Sequence, residues 1–549
     1  MQLSFIWIEN FRNFQNLELN FNSQGSFSYR NNELSYQENL NYVSNFFHEN
    51  ILDITGIVGK NGSGKSNILE LINYIFRNSK SEIKSKFFFI INDNNNNYCY
   101  TNNLSSEIDN KTKLKIEERT YEGTLKEFSN IYFSNVFDYR KCYFSDDIID
   151  LSTNKFIRSS FGQNIHSHHQ EEVRAQVQFI TSRYFSEIQN IDLKTPSNLV
   201  FSNQVWIAVT NKIKAYEMDH KIIGLKEFVK KYKTRLQNAK SEESFFYFTS
   251  FLIFIYYFFE PYSESKNKTE YHLTERNVVD LNFITKEMID GNFDIKELHY
   301  FITINFSNFL ERNNREKKLV QFLRKELSHF DSHNWKPLKT KSGQNKTGRN
   351  EFSLPFENLN CQEFIKSYFQ AVGNRTMFNF EWGGGISSGQ VAFINLFSRF
   401  HSTLHRVKHK QVLICIDEGD LYFHPKWQLE FVNYIVKIMP ILFGSRKLQI
   451  ILTTHSPFLV SDLPKSNLIF LGKSNDSEII ETFSANIHAL YSNSFFLENG
   501  TISEFAYQKL KQIKSNLSRS NKIAVIEARK IINQIGEPII KKQFEKYLE

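Results

Sequence analysis

Eight consecutive residues constrain this chain more than any other stretch: Gly59-Lys-Asn-Gly-Ser-Gly-Lys-Ser66 satisfies G-x-x-x-x-G-K-[ST] at every fixed position. A triphosphate needs backbone N–H groups converging on it, and glycines let the chain wrap closely enough to supply them. Gly59, Asn61, Gly62, Ser63, Gly64, Lys65, Ser66 and the adjoining Asn67 are therefore the candidate ATP-binding residues. Lys65 brings a point charge to the β- and γ-phosphates, and the Ser66 hydroxyl is a ligand for Mg²⁺. The flanks agree. Ile54, Ile57 and Val58 read as a buried strand entering the loop, and Ile68, Leu71, Ile72, Ile75 and Phe76 recur at helical spacing after it. The loop thus ends at a helix N-terminus, where a bound anion is favoured.

With 549 residues, the chain is long enough for two to four domains and more than one core. A net charge of +8 at this length is a mild basic bias, which permits a nucleic-acid partner without demanding one. The four cysteines (Cys99, Cys142, Cys361, Cys415) lack C-x-x-C spacing and read as free thiols of a reducing compartment, with a cytoplasmic location expected. Met1–Ile8 has neither a basic n-region nor a cleavage site, so it is not read as a signal peptide. The apolar run Phe245–Phe259 spans 15 residues, short of the ~20 that cross a bilayer, and reads as a buried helix. No membrane partner is expected.

Along the chain, Leu3–Ile8 and Leu17–Phe21 read as strands, and residues 22–50 as a loop with a short helix. Phe87–Ile91 and Ile131–Phe137 read as further strands, with Asn92–Asn97 as an exposed hairpin tip. From about 150 to 375 the pattern is mostly helical. Two basic segments stand within it, Lys221–Lys240 and Lys336–Arg349, the second reading as a glycine-containing loop. Either could touch nucleic acid or simply be solvated. His166, His168 and His169 read as an exposed polar turn, since no cysteine or carboxylate stands at metal-ligand spacing. Sheet-type pattern returns after about 378. Val412–Ile416 is an unbroken apolar run, as in a strand covered on both faces, and Leu448–Leu452 is another.

The chemistry gathers at the ends of these late strands. Asp417-Glu418 ends the first, where a carboxylate beside a phosphate loop holds Mg²⁺; Glu418 can accept a proton from the attacking water or orient it. Ser387, Ser388, Gly389 and Gln390 precede an apolar helix beginning near Val391, placing hydroxyls and N–H groups either for an anion or for simple N-capping. Thr453-Thr-His455-Ser-Pro457 ends the second strand and puts an imidazole at the same sheet edge.

These four segments, in this order, resemble the ABC-type ATPase head in the branch shared by SMC, RecF and OLD proteins. Gly59–Ser66 matches Walker A, Ile386–Gln390 the signature, Val412–Glu418 Walker B, and His455 the switch histidine. The resemblance covers about residues 1–145 and 375–480. It implies an α/β fold with a mixed sheet, ATP and Mg²⁺ as ligands, and Arg12 of Asn10-Phe11-Arg12 near the nucleotide. It also implies a homodimer or higher oligomer in which Ser387 and Gly389 of one subunit close on ATP held by another. A Q-loop glutamine is not evident; the strand at 131–137 leads instead to Ser134, Asn135 and Asp138.

The expected organisation is a head formed by 1–149 and 376–480, a mainly helical insertion at 150–375 and a helical tail at 481–549. No long heptad run argues for SMC-type arms, and the tail has no D-x-D pair for an OLD-type nuclease domain. Ile502–Phe505, Ile535–Ile540 and Asp417–Trp427 give the chain the look of PtuA-type ATPases from Septu anti-phage systems and related retrons. That resemblance implies an HNH nuclease partner, PtuB, joined in retrons by a reverse transcriptase and its branched DNA–RNA product, msDNA. The expected function is an ATP-hydrolysing sensor and scaffold that controls the nuclease. Two alternatives stay open: a RecF-like DNA-repair clamp gripping DNA directly, and an OLD-like nuclease acting alone.

Overall fold

The computed structural model describes residues 1–77, 83–93, 96–104, 107–137, 144, 147–155, 165–188, 198–203, 286, 290, 322, 338–339, 351–372, 378–383, 387–472, 481–493, 503–517 and 522–547. The chain divides into two compact units, one of Met1–Leu125, Ile414–Asp420 and Gln449–Glu549, the other of Lys126–Leu413 and Leu421–Leu448. The basic segment 221–240, all of 336–349 except 338–339, and the apolar run 245–259 lie outside the described residues, as do Asp138, Cys142, Ile386 and Ile502.

In the first unit, β1 (Gln2–Phe11) and β2 (Phe14–Asn20) pair antiparallel across a turn of Arg12 and Asn13. Residues 22–50 contain no helix. They hold a second hairpin, β3 (Gly25–Arg30) and β4 (Glu33–Glu38). Its turn is Asn31-Asn32, both left-handed (φ 52 and 66), the paired positive φ of a type I′ turn that asparagine tolerates. Phe27, Tyr29 and Leu34 enter a core with Phe5, Trp7, Phe88, Ile90 and Cys99. The alternation Phe27-Ser-Tyr29 and Leu34-Ser-Tyr36 is the period-two signal that the polar composition of this stretch obscured.

Next come β5 (Ile51–Gly59) and α1 (Lys65–Phe76). β6 (Phe87–Asp93) and β7 (Asn96–Asn102) form the hairpin expected around 92–97, with Asp93 opposite Asn96. β8 (Asp109–Asn110) and β9 (Ile116–Thr120) complete two sheets, ordered β2-β1-β6-β7-β9 and β3-β4-β8.

In the second unit, β10 (Phe128–Ser134) pairs in parallel with β11 (Ile149–Asp150). Among the described residues, helices α2 (Ile165–Ile180) and α3 (Arg183–Glu187) precede β12 (Asn198–Asn203), β13 (Leu338–Lys339) and β14 (Glu351–Pro355), and α4 (Leu359–Val372) separates these from β15 (Phe378–Gly383). The four strands form an antiparallel sheet, β13-β14-β12-β15; the first three in sequence fall in the interval read as mostly helical, whereas β15 starts where sheet-type pattern was expected to return. His166–His169 sit in the first turn of α2 rather than in a loop. Among the described residues no His/Cys/Asp/Glu group of three or more could hold a metal.

Still in this unit, α5 (Ser388–Thr403) is tied to α2 by an ion pair between buried Arg399 and Glu172 and by Gln176 donating to Asn395. Phe393 of α5 lies against Trp427 and Tyr434 of α6 (Pro425–Phe443), ring centroids 5.1 and 4.8 Å away.

The first unit resumes at Ile414. Here β16 (Gln411–Asp417), β17 (Lys447–Thr454), β5 and β18 (Leu468–Leu471) lie side by side in that order. β18 runs parallel to β5, with Leu471 opposite Gly59. Val412–Ile416 is wholly buried, as its apolar run required. Gln449 fastens β1 to this layer: its Oε1 accepts from the Leu3 N–H (2.8 Å) and its Nε2 donates to the Leu3 carbonyl (2.8 Å). Helices α7 (Pro457–Ser461), α8 (Ile487–Asn493), α9 (Glu504–Leu517), α10 (Lys522–Ile532) and α11 (Pro538–Glu545) follow. The last three share a small core of Ile513, Ala528 and Ile532. Among the described residues no helix is long and apolar enough to cross a membrane.

One buried acid knits these strands together. Asp53 of β5 accepts from the Ser23 N–H and hydroxyl (both 2.8 Å) and from the Asn467 amide. Burial still outweighs these donors and pushes its pKa up to about 6. A carboxyl raised above its unfolded value stabilises the fold most at low pH and loses that contribution as pH rises through the folded pKa. The stability of the wild type relative to Asp53→Asn should therefore fall by about 1–3 kcal/mol between roughly pH 4 and pH 6.5, read by urea unfolding.

Candidate functional site

Three strand ends of the first unit meet at one place. β5 delivers the loop Lys60–Gly64 and the first turn of α1, β16 delivers Asp417 and Glu418, and β17 delivers Thr453, Thr454 and His455. Ser66 Oγ donates to Asp417 Oδ1 (3.1 Å), joining positions 351 apart in sequence. Thr453 Oγ1 donates to the same oxygen (2.6 Å). Glu418 Oε1 lies 3.6 Å from His455 Nε2.

Backbone demands explain the glycines. Gly62 and Gly64 have φ of +78 and +96, beyond the comfortable range of a side chain. A Cβ on Gly59 would fall 2.6 Å from Ser63 Oγ, and one on Gly64 would fall 2.5 Å from the Phe14 ring and 2.9 Å from the Asn13 amide. Lys65 is buried, and its ammonium donates to the carbonyls of Gly59 (3.2 Å) and Lys60 (3.3 Å). Burial lowers its pKa, and the neighbouring charges of Glu418 and Asp417 oppose that.

The β1–β2 turn buttresses this loop. Asn13 Nδ2 donates to the Ser63 carbonyl (3.3 Å), and Asn67 Nδ2 to Asn13 Oδ1 (2.8 Å). Arg12, itself left-handed at φ 52, donates to Asn67 Oδ1 (2.7 Å) and forms an ion pair with Glu70, which is buried on α1. Sequence reasoning singled out Arg12 but missed Asn13 and Glu70. The only local hint was a polar Arg-Asn pair between Phe11 and Phe14, at a two-residue turn.

Close packing at Gly64 yields a test. Gly64→Ala forces a Cβ into the Phe14–Asn13 contact at a positive φ. It should weaken nucleotide binding by about tenfold or more at about 1–2 kcal/mol of backbone strain, measured by fluorescent-nucleotide titration with circular dichroism as the folding control.

Asp420 sits just past these acids, buried, and accepts from the Thr454 hydroxyl (3.2 Å). Burial pushes its carboxyl up to about 6. Glu418 follows β16 in a left-handed conformation (φ 48), rare outside glycine and characteristic of strained functional positions.

The donor set suits a Mg²⁺–triphosphate. Ser66 and Asp417 offer hard oxygens within hydrogen-bond reach of each other, and Mg²⁺ typically takes only one or two such protein ligands. Ser63 Oγ is buried without a hydrogen-bond partner among the described residues, next to Gly62, which faces open space.

Ser387–Gln390 belongs to the second unit. There Ser387 is the N-cap of α5 in a full capping box: its Oγ accepts from the Gln390 N–H (3.2 Å), and Gln390 Oε1 accepts from the Ser387 N–H (2.9 Å). Ser388 is exposed and Gly389 buried. The capping role weighed for these residues is thus real. In the Q-loop region, Ser134 Oγ accepts from the Val136 N–H (3.2 Å).

A family model described as "AAA domain, putative AbiEii toxin, Type IV TA system" matches residues 54–204 and 234–461, more than half of the chain. Septu protein PtuA of Bacillus thuringiensis is 33% identical over 112 residues, 17% of this chain and 27% of that protein. The Retron Ec83 probable ATPase of Escherichia coli is 29% identical over 119 residues, 22% of this chain and 21% of that protein. These matches span about a quarter of each relative's own length. The chain therefore belongs to the AAA-domain family that the matching model describes, and within it is similar to the PtuA-type ATPases that its own motifs resemble.

Proposed function

We propose that this protein binds and hydrolyses ATP, giving ADP and phosphate, as the sensor and scaffold subunit of an anti-phage defence complex. The observation that carries the reading is the hydrogen bond from Ser66 to Asp417, with Thr453 on the same carboxylate and Glu418 beside His455. In this reading the N–H groups of Gly59–Ser66, Asn61 among them, wrap the phosphates with Asn67 adjoining, and Lys65 pairs with the β- and γ-phosphates. Ser66 and Asp417 would hold Mg²⁺, which when bound offsets charge on the phosphate oxygens. Glu418 orients the attacking water and takes its proton, and His455 hydrogen-bonds the γ-phosphate. Arg12 is proposed as a further nucleotide contact.

Ser387, Ser388, Gly389 and Gln390 would act in trans, closing a second subunit over the nucleotide, so that ATP favours a dimer and hydrolysis releases it. The head is assigned to 1–149 and 376–480, the insertion to 150–375 and the tail to 481–549. Similarity to Septu PtuA and to a retron ATPase supports a place in such a defence system. The partner proposed is a PtuB-like HNH nuclease, joined by a reverse transcriptase and msDNA if the setting is a retron, all in the cytoplasm. The test is phosphate release with MgATP, alongside light scattering with and without ATP. Hydrolysis with ATP-dependent association supports the reading; no nucleotide binding at millimolar MgATP would overturn it.

A further inference from the structure

Glu418 is held in a conformation that its own side chain disfavours. A left-handed φ of 48 costs a non-glycine residue, so something nearby has to maintain it. The structure supplies one candidate. The Glu418 N–H donates to Thr453 Oγ1 at 3.0 Å. The hydrogen on that same oxygen goes to Asp417 Oδ1 at 2.6 Å, which also accepts from Ser66 Oγ at 3.1 Å. Thr453 is 1% exposed and leads β17 into His455.

A hydroxyl has one hydrogen to give and lone pairs to receive with. With its hydrogen committed to Asp417, its lone pairs are left for Glu418. Both acids are then oriented by one atom on a buried strand, outside the phosphate loop. A backbone N–H at a strained residue, locked by a side chain that is itself locked, is the arrangement that fixes a reacting group to within a fraction of an ångström.

We propose that Thr453 is a positioning residue for ATP hydrolysis, whose hydroxyl holds the Glu418 peptide in its left-handed form and aims the Asp417 carboxylate toward Ser66. The proposal rests on the assignment of Glu418 to water activation. It separates turnover from binding. Thr453 has no direct hydrogen bond to the loop or to Lys65 and reaches Ser66 only through Asp417, which Ser66 itself still contacts, so its loss leaves the loop standing, whereas Glu418 can relax and carry its carboxylate off line. A displacement of about 1 Å at a catalytic group can cost about a hundredfold in rate.

The test compares Thr453→Val, Thr453→Ser and Glu418→Gln in the full chain, following phosphate release and fluorescent-ATP binding with Mg²⁺ present. Valine keeps the β-branched shape and removes the hydroxyl; serine keeps the hydroxyl. The expected result is a kcat about 30-fold or more lower in Thr453→Val, with KM and nucleotide affinity within about threefold of wild type, and near-complete recovery in Thr453→Ser. A wild-type kcat in Thr453→Val, with Glu418→Gln inactive, would overturn the positioning role and leave the ATPase reading intact. Wild-type turnover by Glu418→Gln would overturn both. A parallel loss of affinity and turnover, not rescued by serine, would reduce Thr453 to a structural residue. Should Thr453→Val fail to fold, Thr453→Ala replaces it under the same criteria.

Discussion

Replacing Lys65 with alanine should lower ATP affinity by about a hundredfold or more, corresponding to ~3 kcal/mol. Two losses combine. One is the charge itself, set in a buried position where an ammonium–phosphate contact is worth more than at the surface. The other is mechanical: the ammonium donates to the Gly59 and Lys60 carbonyls and so braces the loop from inside. Arginine would not substitute well, because its planar fork does not fit a space shaped for a point donor. The measurement is equilibrium titration with a fluorescent ATP analogue, with urea unfolding to confirm a native fold. Affinity within about threefold of wild type would remove this loop from the nucleotide site.

Glu418→Gln should act on the other side of the cycle. The amide preserves size but cannot accept a proton from water, so turnover should drop by about a hundredfold or more while ATP affinity holds. The charge between Glu418 and His455 also disappears, which removes the ion pair available to a protonated imidazole. If hydrolysis is what releases the dimer, the variant should accumulate as an ATP-bound dimer in light scattering. An oligomer distribution unchanged by ATP in this variant would count against the head-to-tail sandwich, whatever happens to turnover.

Legibility differed sharply along the chain. The strand, loop and helix around Gly59–Ser66 could be read because the motif fixes glycines at set offsets, and the structure has them where φ is positive or a Cβ would clash. Val412–Ile416 could be read because a strand buried on both faces needs an unbroken apolar run. The β3–β4 hairpin was missed because its outward residues are serines and its turn is a pair of asparagines, a composition that looks like loop unless the alternation is counted. The strands β12 and β14 were missed because short strands amid helical pattern carry little periodic signal of their own.

The sequence by itself determined the local chemistry: which residues could cradle a phosphate, which strand ended in adjacent acids, and which ended in a histidine. Those facts are local because backbone geometry and side-chain type settle them within a few residues. Only the tertiary structure decided that Ser66, Asp417 and Thr453 share one set of hydrogen bonds, and that Asn13 and Glu70 support the loop through the β1–β2 turn. It also decided that Glu418 stands in a left-handed backbone held by a threonine 35 positions away. Contacts of that kind depend on the order in which strands lie side by side, β16 next to β17 and β17 next to β5, and no local pattern encodes that order.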